Sequence, residues 1–374
     1  MSQALRAGIE ERAYGELSDG RPVREYTLRA ASGLVLRAIN HGGIVTALEV
    51  PDREGRLASV VLGLPSLRDY ETRNPHMGTI VGRHANRIGG ARFQLDGREV
   101  KLEPNEGANS LHGGARGFGK RWWDIEPLPL AGDGSAALVL RYTSADGEGG
   151  FPGTMDVQVR YTLGPGPEWR IDYEARSDKT TVVNLSHHDY FNLRGHGDVM
   201  DHRLLIPASR YCPIDAERIP TGLAQVEGTP FDFRRGPRIG ERIREPHEQL
   251  QRGKGYDHNF AIDGASSGAM RFIARLADPH SGRAMDIHST EPGLQFYSGN
   301  YLDGSLAGAH GALIRQGDGL CLETQHFPDA PNQPAFAATR LAAGELFKSS
   351  TVLRFSTFGT GDDPFAALPE DHRA

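Results

Sequence analysis

Five segments place polar side chains where a strand core should be apolar. The longest is Asn184-Leu-Ser-His-His-Asp-Tyr-Phe-Asn192. Read as a strand, where successive side chains face opposite ways, it sets Asn184, Ser186, His188, Tyr190 and Asn192 on one face. Leu185, His187, Asp189 and Phe191 fall on the other. A face made only of hydrogen-bonding groups suits a polar ligand better than a core. The second segment, Gly317 to Asp329, puts Leu320, Leu322 and Thr324 on one face and Cys321, Glu323 and Gln325 on the other. An isolated buried carboxylate is costly and marks a paired or functional group, so Glu323 is a candidate for acid–base work.

The other three segments are glycine-flanked turns. Gly82-Arg-His-Ala-Asn-Arg-Ile-Gly89 offers Asn86 and Arg87, whose planar fork can donate to hydroxyls or a carboxylate. Asn109-Ser-Leu-His-Gly-Gly114 offers His112 beside two glycines that let the backbone approach a ligand. Gly253-Lys-Gly-Tyr-Asp-His-Asn-Phe260 opens a strand at Asp257, a carboxylate able to accept from vicinal sugar hydroxyls. Each alone also suits an ordinary surface turn. A metal reading of His187-His188 is weak, because adjacent strand histidines diverge and no H-E-x-x-H spacing exists.

The elements that must hold these residues are short and mostly of period two. Strands are expected at Leu34–Ile39, Ile44–Val50, Ala58–Leu64, Ala137–Tyr142, Met155–Leu163, Trp169–Ala175 and Thr181–Ser186. More follow at Asn259–Ile262, Ala269–Leu276, Ala284–Ser289, Leu294–Tyr297, Leu320–Thr324 and Thr351–Ser356. Many short strands at fairly even spacing indicate a sandwich or barrel. Ser66–Glu71 and Glu241–Gln251 are the best helical segments, and Leu302–Gln316 reads as a long loop. No repeat, linker or βαβ rhythm appears, so residues 1–374 read as one domain, with loose ends at about 1–12 and 362–374.

Composition sets the outer limits. The chain has 374 residues, with 42 Lys+Arg against 48 Asp+Glu and a formal net charge of −6. Mild acidity argues against a nucleic-acid partner. No apolar run is long enough to span a membrane as a helix. The charged start lacks the apolar core of a secretory signal. Two cysteines, Cys212 and Cys321, make no disulfide framework, and free thiols fit a reducing compartment. A cytoplasmic location is the expectation. Oligomeric state stays open between monomer and homodimer.

Taken together, the polar segments resemble aldose 1-epimerases, the galactose mutarotase family. The matching runs are Gly-Arg-His-Ala-Asn-Arg-Ile, Leu-His-Gly-Gly, His-Asp-Tyr-Phe-Asn-Leu, Gly-Tyr-Asp-His-Asn-Phe, Pro-Gly-Leu-Gln-Phe-Tyr-Ser-Gly-Asn and Leu-Glu-Thr-Gln-His-Phe-Pro-Asp-Ala. They stand in the family's order across residues 82–330. The resemblance implies an all-β fold, a large antiparallel β-sandwich of the galactose mutarotase-like supersandwich type. It implies interconversion of the α and β anomers of free aldohexoses by ring opening and closure. Glu323 would then be the general base and His188 the general acid. Asn86, Arg87, His112, Asp257 and Gln295 would bind sugar hydroxyls, with Tyr190 a neighbour on the His188 face. The family usually has Thr-Asn before its catalytic His, where this chain has Ser186-His187. On a regular strand His187 points away from the site.

Such a reaction implies no metal and no cofactor, and the partner is a free aldose. Glu323 is expected to raise the imidazolium fraction of His188, giving a bell-shaped pH profile. Three alternatives stand beside this reading. A glycoside-active enzyme could pair Asp257 with Glu323. A sugar-phosphate mutarotase could use the Arg234, Arg235, Arg238 run. A carbohydrate-binding protein could have kept the pocket without turnover.

Overall fold

The computed structural model describes residues 7–264, 268–366 and 368. Three antiparallel sheets dominate. A five-stranded meander runs in chain order through Gly8–Glu16, Pro22–Arg29, Val35–Ile39, Val45–Pro51 and Leu57–Ser59. An eight-stranded sheet takes the order Asp124–Pro127, Ala136–Ser144, Met155–Leu163, Glu168–Ser177, Leu346–Thr357, Arg283–Ser289, Arg271–Ala277 and Arg203–Leu205. The expected all-β antiparallel sandwich is what forms.

Alternation builds the core. Along Met155–Leu163 the side chains of Met155, Val157, Val159, Tyr161 and Leu163 are buried, while those between them are exposed or half-buried. Its neighbour repeats the pattern through Trp169, Ile171, Tyr173 and Ala175. These side chains join Leu28, Leu36 and Leu48 of the meander in one apolar cluster. Burying each large one contributes roughly 1.5–3 kcal/mol.

The site is held by smaller pieces against a third sheet. We label only these: β1 (Thr79–Val81), β2 (Arg87–Ile88), β3 (Ser110–Leu111), β4 (Ser186–His188), β5 (Asp257–Ala261), β6 (Gly293–Tyr297) and β7 (Cys321–Gln325). Strands β5, β6 and β7 lie side by side, β4 pairs with β1, and β3 pairs with β2.

Several expectations are corrected. The polar run 184–192 is regular strand only at Ser186–His188, with Asn184 and Phe191 in isolated bridges. Glu241–Gln251 is not one helix. A 3-10 turn at Ile239–Glu241 ends, and an α-helix begins only at Glu248–Gly253. Pro246 between them has no N–H to donate and disfavours helix in the residue before it. The other helix, Leu67–Thr72, starts where expected, with the Ser66 hydroxyl accepting from Asp69 N.

Leu302–Gln316 contains a hairpin, Asp303–Ala307 against Leu313–Arg315. The chain ends are also less loose than expected where they are described. Gly8–Glu16 is a paired edge strand. Arg275 donates to Pro364 O, and the Arg203 guanidinium sits 4.6 Å over the Phe365 ring. The remainder of the expected loose ends, residues 1–6, 367 and 369–374, lies outside the described residues.

Candidate active site

Register brings three of the expected groups onto one sheet face. Gln295 of β6 stands directly opposite Glu323 of β7, and Asp257 of β5 stands opposite Tyr297, two residues along. Such diagonal neighbours are within reach of long side chains. Gln295 Nε2 donates to Asp257 Oδ1 at 2.8 Å. Gln295 Oε1 and Glu323 Oε2 are buried with no partner. Unpaired buried acceptors cost stability and mark a place built for something else to bind.

The β4–β1 ladder delivers the histidine. His188 pairs with Thr79, and its Nε2 comes within 3.8 Å of Glu323 Oε1. That is too long for a hydrogen bond, so neither group is spent on the other. Its Nδ1 lies 3.4 Å from Cys321 Sγ. Tyr190 packs its ring 5.2 Å from that of His188, while its hydroxyl donates to Pro75 O. It therefore forms part of the floor under His188. His187 faces the opposite way, against Tyr161 and Trp169.

The remaining groups come from turns. Asn86 and His112 both have left-handed backbones, with φ of 63° and 52°. Asn tolerates that region better than most residues. The two turns clasp each other: Asn86 N donates to His112 Nδ1 at 3.2 Å, and His112 N donates to Asn86 O at 3.1 Å. Gly113 must be glycine here, since a Cβ would stand 2.0 Å from Gly82 O. Arg87 grips Glu106 through two nitrogens, at 2.6 and 3.0 Å, and extends its third to 3.6 Å from Asp257.

Burial controls the charges. Every site residue expected from the sequence is buried. Burial, with Asp257 adding to it, pushes the Glu323 carboxyl well above the usual range, against the pull of Arg87. Burial likewise drives His188 down to about 3 and His112 well below 6.5. The expectation that Glu323 would favour an imidazolium at His188 is thus corrected: desolvation of the buried ring dominates, and burial disfavours the charged form of the neighbouring carboxyl as well. Arg87 remains charged, because Asp257 and Glu106 outweigh its burial.

His112, His188 and Glu323 also place one ligand atom each within 4.8 Å of one another, a spacing that a metal ion could bridge. The Asn86 N–H, however, occupies the lone pair on His112 Nδ1. This leaves the proton on Nε2, so His112 offers the pocket a donor. The Arg234 and Arg238 side chains are engaged by Asp232 and Asp201, away from these groups.

Two groups at the site were not expected. Glu106 anchors Arg87, and His76 sets its ring 4.7 Å from that of His112 and 5.8 Å from that of His188. Neither stands in a run that carries a signal by spacing. Pro75-His76-Met77 looks like any connecting turn until the fold brings it beside His112.

Comparison with known proteins agrees with this geometry. The family model described as Aldose 1-epimerase matches residues 24–354. A galactose mutarotase of Bos taurus is 42% identical over 351 residues, spanning 93% of this chain and 98% of its own. The aldose 1-epimerase of Escherichia coli strain K12 is 35% identical over 341 residues, spanning 90% and 96%. The crystal structure of a galactose 1-epimerase from Lactobacillus acidophilus superposes with a TM-score of 0.82 at 28% identity, covering 94% of this chain and 99% of that one.

Proposed function

Because the chain belongs to the aldose 1-epimerase family, whose isomerase reaction interconverts the α and β anomers of aldoses, we propose that Glu323 and His188 carry that reaction here. The observation that supports this most is their facing position. Oε1 and Nε2 stand 3.8 Å apart, unbonded to each other, with the second Glu323 oxygen also unpartnered.

Ring opening needs two proton transfers. The anomeric O1–H gives up its proton, the C1–O1 bond becomes a carbonyl, C1–O5 breaks, and O5 gains a proton. In our reading Glu323 carboxylate takes the first proton and His188 imidazolium gives the second. Rotation of about half a turn around C1–C2 then presents the other carbonyl face, and the same transfers run in reverse. The two groups together hold one mobile proton. Burial disfavours both charged forms, which favours its resting on Glu323. Moving it to His188 creates the working pair without changing the net charge, and Arg87 favours the resulting carboxylate. No bond made or broken in these steps calls for a metal, nucleotide or redox cofactor.

Arg87, Asp257, Gln295, Asn86 and His112 surround the pair with donors and acceptors suited to sugar hydroxyls. Asp257 and Gln295 are bonded to each other, which fixes the direction each presents. Tyr190 supports His188 from below. One apolar cluster reaching from Tyr26 to Phe355 supports reading the chain as a single domain.

The test is polarimetry of freshly dissolved α-D-glucose and α-D-galactose with wild type and Glu323→Gln. Wild type should speed the approach to anomeric equilibrium. The variant should lose roughly 10²–10⁴-fold. Full activity in Glu323→Gln would remove Glu323 from the base role.

A further inference from the structure

His76 is a half-buried histidine whose ring nitrogens have no hydrogen-bond partner among the described residues, yet its backbone is held closely in place. Its φ of 68° lies in the left-handed region, uncommon for residues other than glycine. Thr79 donates to His76 O through both its backbone N, at 3.1 Å, and its hydroxyl, at 2.9 Å. Asn74 brackets the next residue, accepting from Met77 N at 2.7 Å and donating to Met77 O at 3.1 Å. Tyr190, two residues beyond His188, donates to Pro75 O at 3.1 Å. Unusual backbone that the surroundings hold this firmly is a pointer to function. What it accomplishes here is to bring a third imidazole to the pocket wall, beside His112 and His188.

The position along the wall suggests which part of a sugar it meets. In a pyranose the atoms run O1, C1, O5, C5, C6. The roles given above put Glu323 at O1 and His188 at O5. The next group beyond His188, on the side away from Glu323, faces C5 and whatever C5 carries. His76 stands beside His188: its ring lies 5.8 Å from that of His188 and 4.7 Å from that of His112, and the charged groups near it are Lys120 and Glu106, not Glu323. Resting on that reading of the pocket, we propose that His76 is a specificity-determining residue whose ring hydrogen-bonds the C6 hydroxyl that hexopyranoses carry and pentopyranoses lack. Burial lowers its pKa to about 4, so the ring is neutral near pH 7. A neutral imidazole has one donor and one acceptor, which matches a primary hydroxyl.

D-Glucose, 6-deoxy-D-glucose and D-xylose share configuration at C2, C3 and C4 and differ at C6, which makes them the probes. Mutarotation of each is followed by polarimetry with wild type, His76→Ala and His76→Asn, the last because Asn accepts the left-handed backbone. Both variants should lose roughly 3- to 10-fold in kcat/KM on glucose, the scale of one hydrogen bond. They should hold their rates on 6-deoxyglucose and xylose. An equal loss on all three sugars, an equal loss on glucose and 6-deoxyglucose, or no loss on glucose would each overturn the proposal. A wild type inactive on all three would instead overturn the aldose reading of the pocket, and the role of His76 with it.

Discussion

His187 points into the body of the sandwich. Its Nδ1 lies 2.7 Å from Asp189 Oδ2 and its Nε2 lies 2.8 Å from Tyr161 Oη. The rings of Tyr161 and Trp169 meet it edge-on at 5.5 and 5.4 Å. His188, one residue on, points into the pocket, 3.8 Å from Glu323 and 3.4 Å from Cys321. The first ring has a partner at each nitrogen and aromatic walls on both sides. The second has a thiol at Nδ1 and, among the described residues, no hydrogen-bond partner at Nε2. Strand alternation lets two adjacent imidazoles serve opposite ends: one fixes the strand, and the other is left free to exchange protons with a ligand.

Protons should break this contrast most strongly. His41, His76, His84, His112, His188, His202 and His258 all have pKa values pushed below 6.5, with burial the first cause in each. The unfolded chain therefore takes up protons near pH 6.5 that the folded chain refuses until the pH is well lower. Stability is full above pH 6.5 and falls as pH drops through that window, by up to about 1.4 kcal/mol per pH unit for each group. His326, its pKa raised because Glu291 outweighs burial, runs the other way, as do the Glu323 and Asp318 carboxyls that burial raises. Three groups offset only part of what seven contribute. Urea midpoints at pH 7.5 and 4.5 should differ widely, and equal midpoints would contradict the neutral-imidazole pocket.

Asp189→Ala removes the carboxylate from His187 while leaving the ring buried. Loss of one partner of a buried pair costs about 3–5 kcal/mol, to be read from urea unfolding at pH 7. The corresponding loss on the pocket side, Cys321→Ala, should cost less, because a thiol is a weak hydrogen-bonding partner for His188. Tyr161→Phe is smaller again than Asp189→Ala. It strips the hydroxyl that serves both His187 and Gly43 O, for about 1–3 kcal/mol. A Tyr161→Phe variant as stable as wild type would mean that the hydroxyl does not hold the strand.

Much of the pocket could be read from residue types. Period two placed His188 and Tyr190 on one face and His187 on the other. The lone carboxylate in Leu320–Thr324 singled out Glu323. What could not be read depends on distance across the fold. His76 meets His112 only because two left-handed turns converge. Glu106 matters only because Arg87 folds back on it. The charge state of His188 is unreadable from sequence for the same reason, since desolvation is a property of the assembled pocket and opposes the effect of a neighbouring carboxyl. Pro246 was a readable stop inside the longer expected helix. The hairpin at 303–315 was obscured by glycine and polar residues.

The contrast between the two histidines is tested most directly by measuring kcat for mutarotation of α-D-glucose with His187→Asn and His188→Asn side by side. His188→Asn should fall by roughly 10²–10⁴-fold, the usual contribution of a positioned proton donor, with its folded stability preserved. His187→Asn should keep kcat within about tenfold of wild type while losing stability in urea. Equal losses of kcat in the two variants, or an active His188→Asn, would contradict the assignment of His188 as the acid.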